Sequence, residues 1–506
     1  MSSPQRLKFC VDGVWKDSKT DRFIDMFNPS TGEVMAKVPC CTEEEISAAI
    51  ASAHAAYPRW SATPATKRVQ VLFRFRELLD KHMEELVVLC STEHGKTLEE
   101  SRGDLLKVRE PVEMACGTPS LMMGESLMNA STGFDTVLYR EPLGVFVGLV
   151  PFNFPGMIPM GWMMPLCIAT GNTLVLKASN ATPMTAMRLL ELLYEAGLPK
   201  GVVNLLTTHN DDAHAFLIHP DVRGVSFVGS TAIGLQVYAT AAAHGKRVQA
   251  QCEAKNHALV LEDANLEGAA RAIINSAFGC AGERCMALPV VVAQESIADR
   301  LVALLVSYAS DLRMGPGYES HSELGPVVSE NRRQSILGWI ETGVKEGASL
   351  VLDGRDWVAK GFEKGFFLGP TILDHVKPGM TVGDTEIFGP VVCIKRVSSF
   401  EEGLRLMNAN AFANGSIIFT QSGYYSREFS MRSDAGMVGV NVGIPVPVGM
   451  FPFAGHKKSF FGDLHVLGKD GIRFYTESKV VTSKWFHPET VATAGKVDTW
   501  EGSIAR

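Results

Sequence analysis

The sequence predicts an α/β protein built on a parallel, doubly wound sheet, followed by a second α/β unit and a small separate β element. Three observations carry this. The run 145–150 is almost continuously apolar, as a strand buried on both faces requires, and 173–177, 202–206 and 225–228 repeat it between helical stretches such as 183–196. After Asn265 the rhythm restarts, with helical periodicity over 266–278 and 296–312. Two β-rich stretches, 136–140 and 479–485, stand outside the alternation.

In chain order, about the first 45 residues read as an extended lead-in, punctuated by turn signals at 11–15 and 28–32. Thr42 followed by Glu43, Glu44 and Glu45 is an N-cap with an acidic first turn, opening a helix towards His54. Helical periodicity continues through 66–94 and 97–117. The segment 136–140 alternates as an exposed strand does and suits an oligomerisation hairpin.

Composition narrows the function classes. The 506 residues are 46% hydrophobic and 20% charged with a net charge of −7, which offers no case for nucleic-acid binding. No apolar run reaches the ~18 residues of a membrane span; the richest stretch, 157–168, is broken by Pro159, Gly161 and Pro165. The ten cysteines contain no C-x-x-C, so neither a metal site nor a redox pair is expected. The start, Met1 to Arg6, lacks the apolar region of a secretory signal, and a reducing intracellular compartment is expected.

The candidate chemistry centres on Cys285 in Gly282-Glu283-Arg284-Cys285-Met286-Ala287. A cysteine after a small, glycine-containing turn can meet a substrate closely, and its thiolate is a nucleophile; an inert buried thiol is the alternative. A G-x-G-x-x-G fingerprint is absent, but Gly229-Ser230-Thr231-Ala232-Ile233-Gly234 follows a strand and opens a helix, where backbone N–H groups can hold a diphosphate. A plain strand–helix turn explains that pattern equally. Asn153 lies between Phe152 and Phe154 just past a buried strand, an apolar setting in which an amide needs a partner.

These segments, with Pro151-Phe152-Asn153-Phe154-Pro155 upstream, Lys255, and Glu386-Ile387-Phe388-Gly389-Pro390 downstream, resemble the aldehyde dehydrogenase superfamily in order and spacing from about residue 9 to about residue 485. Within it, Ala254-Lys255-Asn256-His257, the Arg284-Cys285-Met286-Ala287 run and the 462–476 tail are similar to the CoA-acylating methylmalonate-semialdehyde dehydrogenase branch. The resemblance implies a Rossmann-like cofactor domain (1–125 and 145–253), a catalytic domain (254–460) and an oligomerisation element with tail (126–144 and 475–506), the last strand pairing across subunits of a dimer or tetramer. It implies Cys285 as nucleophile and Asn153, with a backbone N–H, as oxyanion donor. NAD, with NADP possible, is then held by Phe152, Lys177, Asn180, Gly229, Ser230, Gly234, Glu386 and Phe388. Coenzyme A is implied as acyl acceptor, (methyl)malonate semialdehyde as substrate within valine catabolism, and the mitochondrial matrix or a bacterial cytoplasm as location.

The departures matter as much. The superfamily has a glutamate base 34 residues before the nucleophile; here that position is Gln251, which cannot accept a proton at neutral pH. Glu253, two residues on, would share a strand face with it and stand in as base, making the chain hydrolytic. Arg284 is the expected partner of a substrate carboxylate, or else a fixer of its own loop. The branch's second carboxylate-binding arginine falls at Lys107, while Arg109 faces elsewhere. Asn180 replaces a glutamate that would repel a 2′-phosphate.

Overall fold

In the computed structural model, which describes residues 4–485, two open sheets form the body of the protein. The first has eight strands. Its five central ones run parallel in the order Arg247–Gln251, Val222–Val228, Val145–Leu149, Thr173–Lys177, Val203–Leu206. Antiparallel strands close both edges, Phe460–Gly462 on one side and Phe9–Val11 with Val14–Lys16 on the other. The second sheet has seven strands, parallel except for its edge strand Ser349–Leu352, with His257–Val260 and Val290–Gln294 at its centre.

The chain starts the parallel part of the first sheet at Val145–Leu149, builds outwards through Thr173–Lys177 and Val203–Leu206, then returns to lay Val222–Val228 on the opposite side. The crevice where strand order reverses therefore opens between the carboxyl ends of Val145–Leu149 and Val222–Val228. Phe152 and Asn153 follow the first of these strands, and Gly229 and Ser230 follow the second.

Local expectations hold with adjustments. Thr42 caps its helix as half of a reciprocal box with Glu45, and the helix runs on past His54 to Ser61. Thr97 does the same with Glu100 for the helix Leu98–Cys116. The periodic run 66–94 divides at His82 into Ala65–Lys81 and Met83–His94, because His82 leaves helical geometry at φ −103° and ψ 12°. Cys280 lies beyond the helix Leu266–Phe278, in a left-handed turn.

The small β element is a three-stranded antiparallel sheet. Its strand Thr476–Lys484 pairs along its whole length with Phe134–Pro142 of the same chain, and Ser126–Ser131 lies on the other side. Thr476–Lys484 is thereby an edge strand of this sheet, with one side paired inside the chain. Residues 486–506 of the expected tail lie outside the described residues.

The chain crosses back before it ends. Phe453, Val466, Phe474 and Tyr475 belong to the core of the first sheet. Phe146 meets Tyr475 and Phe474 edge-on, with ring centroids 4.8 and 5.4 Å apart, and Tyr475 Oη donates to the carbonyl of Met163 at 3.0 Å. Phe146 is fully buried. Phe146→Ala should therefore cost about 3–5 kcal/mol of stability, read by urea or thermal unfolding, since the stacked rings cannot collapse into the space left.

Candidate active site

Cys285 sits at the end of an unusual loop. Cys280, Ala281 and Gly282 all take left-handed backbone, with φ of 51°, 51° and 74°. At Gly282 this is obligatory, because a Cβ there would lie 2.1 Å from the carbonyl oxygen of Gly389. The nucleophile loop thus presses directly on the segment that carries Glu386 and Phe388. Asn256 pins its far side, donating to the carbonyls of Cys285 at 2.9 Å and Ala287 at 2.8 Å.

The thiol itself is half-buried. Burial, reinforced by the Glu386 carboxylate, pushes it up to about 12, against the pull of the N–H groups of Cys285 and Met286 and of Arg284. Without ligands, burial therefore favours the protonated thiol over the thiolate.

Asn153 is 3% exposed and donates through Nδ2 to the carbonyl of Glu283 at 3.1 Å, which ties it to the nucleophile loop. Its own carbonyl accepts from the Lys96 ammonium at 2.6 Å. Lys96 is fully buried, pairs with Asp104 at 3.1 Å and lies 4.2 Å from the centre of the Phe154 ring. Burial alone would lower its proton affinity, but Asp104 more than offsets this and keeps it cationic. Nothing in the sequence around Lys96 marks this role.

A cavity of about 900 Å³ opens beside Cys285 and is lined by Arg284, Lys107, Glu100, Phe154 and Trp162 among others. Arg284 donates to Cys280 Sγ at 3.2 Å, to the carbonyl of Asn275 at 3.3 Å and to Glu100 at 3.4 Å. Guanidinium has five N–H donors, so two remain. Loop fixing and an unspent pair of donors coexist in one side chain. Lys107 lines the same cavity with its ammonium 2.7 Å from Glu110, whereas Arg109 pairs with Asp80 and Glu113, turned elsewhere as its spacing requires.

On the crevice side, Glu386 accepts the N–H of Ala254 at 2.9 Å, and desolvation pushes its carboxyl up to about 8. Phe388 takes φ +60° and meets Phe152 edge-on at 5.9 Å. Arg332, unmarked by the sequence, donates to the carbonyls of Ile387 and Phe388 at 2.8 and 2.9 Å and holds that turn. Lys177 is 7% exposed, bonded to Asn210 at 3.0 Å and lowered to about 8 by desolvation. Asn180 donates to the carbonyl of Thr208, and its Oδ1 is buried without a partner. Ser230 is the N-cap of Thr231–Ala243 and makes no side-chain cap bond. Gly234 serves packing, because a Cβ there would meet Cys252 Sγ at 2.3 Å.

The two residues disputed in the sequence resolve differently. Gln251 is 2% exposed, and neither polar atom of its amide has a partner among the described residues. Its strand ends at Gln251, so alternation does not carry on to Glu253. The Glu253 carboxylate instead accepts the N–H of Thr231 at 3.1 Å.

With this geometry in hand, residues 15–481 match the model of the aldehyde dehydrogenase family. The chain belongs to the aldehyde dehydrogenase family. It is 49% identical over 482 residues to malonate-semialdehyde dehydrogenase 1 of Geobacillus thermodenitrificans, covering 95% of this chain and 99% of that one. Among solved structures, methylmalonate-semialdehyde dehydrogenase of Oceanimonas doudoroffii superposes with a TM-score of 0.94 at 41% identity, over 96% of this chain and all of the other. A Sinorhizobium meliloti protein assigned as a methylmalonate-semialdehyde dehydrogenase, solved with NAD, gives 0.95 at 43% identity, over 96% and 99% of the two chains. No described helix of this aldehyde dehydrogenase is long and apolar enough to cross a membrane.

A thiol raised to about 12 makes a kinetic prediction. Alkylation of Cys285 by iodoacetamide in the ligand-free enzyme should rise about tenfold per pH unit from pH 7 to 10 without a plateau, because the thiolate fraction is still far from saturation. Mass spectrometry of the modified peptide, with Cys285→Ala as blank, reads it.

Proposed function

We propose that this enzyme oxidises malonate or methylmalonate semialdehyde with NAD and passes the acyl group from Cys285 to coenzyme A. The observation that carries the choice of acceptor is Gln251: an amide stands where a hydrolytic enzyme needs a base, and Glu253 is engaged at Thr231. The substrate class rests on the relatives and on the cavity, which Arg284 and Lys107 line together with Cys285.

The crevice suits NAD. It lies at the switch point of the first sheet, a helix N-terminus opens into it, and Asn180 offers a buried, unpaired oxygen. Gly229 and Ser230 would hold the diphosphate, Lys177 and Asn180 the adenosine ribose, and Glu386 with Phe152 and Phe388 the nicotinamide ribose. Gly234 supports this site by letting the helix lie close to Cys252. Neutral Asn180 leaves NADP admissible. Bound there, NAD supplies the hydride acceptor.

The chain's residues do the rest. Cys285 releases its proton to water in the open cavity and its sulfur attacks the aldehyde carbon, forming a thiohemiacetal. The oxyanion is received by the Cys285 backbone N–H and the Asn153 amide, which Lys96 and the carbonyl of Glu283 hold in place. The two free donors of Arg284, with Lys107, hold the substrate carboxylate. After oxidation the thioester on Cys285 awaits a thiolate; coenzyme A takes the acyl group and Cys285 leaves as thiolate, while the β-carboxylate is lost as carbon dioxide or, with water, bicarbonate, and the carbon it leaves takes a proton from water.

Two outcomes are expected. Without coenzyme A, reduced nicotinamide should appear as a burst equal to the enzyme concentration followed by a slow phase, because a missing general base costs roughly 10²–10⁴-fold in deacylation. Rapid release of free acid under those conditions would establish hydrolysis instead. Arg284→Leu should raise KM for malonate semialdehyde far more than for propanal, by a charge-assisted pair of about 2–4 kcal/mol; equal losses would assign Arg284 to the loop alone.

A further inference from the structure

We propose that Glu253 is a built-in competitor of the cofactor's diphosphate, and that it sets cofactor affinity from within the crevice. The inference rests on the assignment of the Gly229–Ser230 turn to that diphosphate.

The contact is reciprocal. Glu253 accepts the N–H of Thr231, the first residue of the helix Thr231–Ala243, at 3.1 Å, while its own N–H donates to Thr231 Oγ1 at 3.3 Å. Ser459 Oγ fixes the Glu253 carbonyl at 2.6 Å, so backbone on both sides is held and only the side chain can yield. Ser230 leaves the helix end uncapped, and the carboxylate is the anion that answers it. The next N–H along, that of Ala254, holds Glu386 at 2.9 Å. One short segment therefore connects the helix end assigned to the diphosphate with the carboxylate assigned to the nicotinamide ribose.

A diphosphate arriving at this N-terminus has two routes. If Glu253 stays, like charges share one helix end within a few ångströms. If it leaves, the bond to Thr231 and the attraction of the helix terminus are lost, and a second carboxylate is released beside Glu386. Both routes weaken binding, and both need the negative charge of Glu253.

The test uses the full chain and needs no turnover. Calorimetric titration with NAD and with ADP-ribose, which keeps the diphosphate, is compared for wild type, Glu253→Gln, Glu253→Ala and Lys177→Ala, with thermal unfolding confirming that each is folded. Glu253→Gln keeps shape and removes charge. At least tenfold tighter binding of both ligands is expected in the two Glu253 variants, whereas adenosine, which has no phosphate, should bind them as it binds wild type. Unchanged or weaker binding in both Glu253 variants, with Lys177→Ala weakening NAD, would overturn the inference and leave the cofactor site standing. If Lys177→Ala also leaves NAD affinity unmoved, the cofactor assignment falls with it.

Discussion

The active site depends on one buried ammonium. Lys96 lies at zero side-chain exposure, and its charge is held by Asp104, the carbonyl of Asn153 and the face of Phe154. Asp104 in turn accepts the N–H of Met157 at 2.6 Å. The turn before the helix Leu98–Cys116, that helix, and the loop that delivers Asn153 from 57 residues away thus meet at one nitrogen. Removing either ion would leave the other buried and unpaired, worth about 3–5 kcal/mol. That penalty is what makes the orientation of Asn153 a property of the fold rather than of its own rotamer.

From there the constraint passes to the nucleophile. Asn153 holds the carbonyl of Glu283, Asn256 holds those of Cys285 and Ala287, and Gly282 lies against Gly389. Arg332 fixes the carbonyls of Ile387 and Phe388. The loop bearing Cys285 and the turn bearing Glu386 are therefore one packed unit. Glu386 helps keep the ligand-free sulfur protonated.

Much of this was legible in the sequence, and the division has a physical basis. Buried parallel strands announce themselves as apolar runs, so four of the eight strands of the first sheet were placed within a few residues. Cys285, Arg284 and the strand–helix turn at Gly229 are local patterns read along one stretch of chain. Lys96, Asn256 and Arg332 were given no role, because each acts by donating to backbone carbonyls far away in sequence, and such bonds impose no local pattern. The within-chain partner of Thr476–Lys484 was not legible for a related reason: strand propensity says that a segment pairs but not with which edge. The raised thiol of Cys285 was not legible either, because burial by remote segments leaves no local pattern and outweighs the adjacent arginine.

Glu253 shows how a single boundary changes a functional reading. On a continuing strand, residues 251 and 253 share a face, and the carboxylate stands in for the missing base. The strand Arg247–Gln251 stops because its neighbours stop: Gln251 is the last residue to pair with both Val228 and Phe460. Past that point Cys252 is bonded to the carbonyl of Ser459 at 2.8 Å and Glu253 to Thr231, so the chain turns towards the end of the helix Thr231–Ala243. An oriented helix end then outcompetes water for the carboxylate. The carboxylate that a continuing strand would have offered as a base is held at that helix end, and Gln251 is left as a buried amide that cannot take a proton.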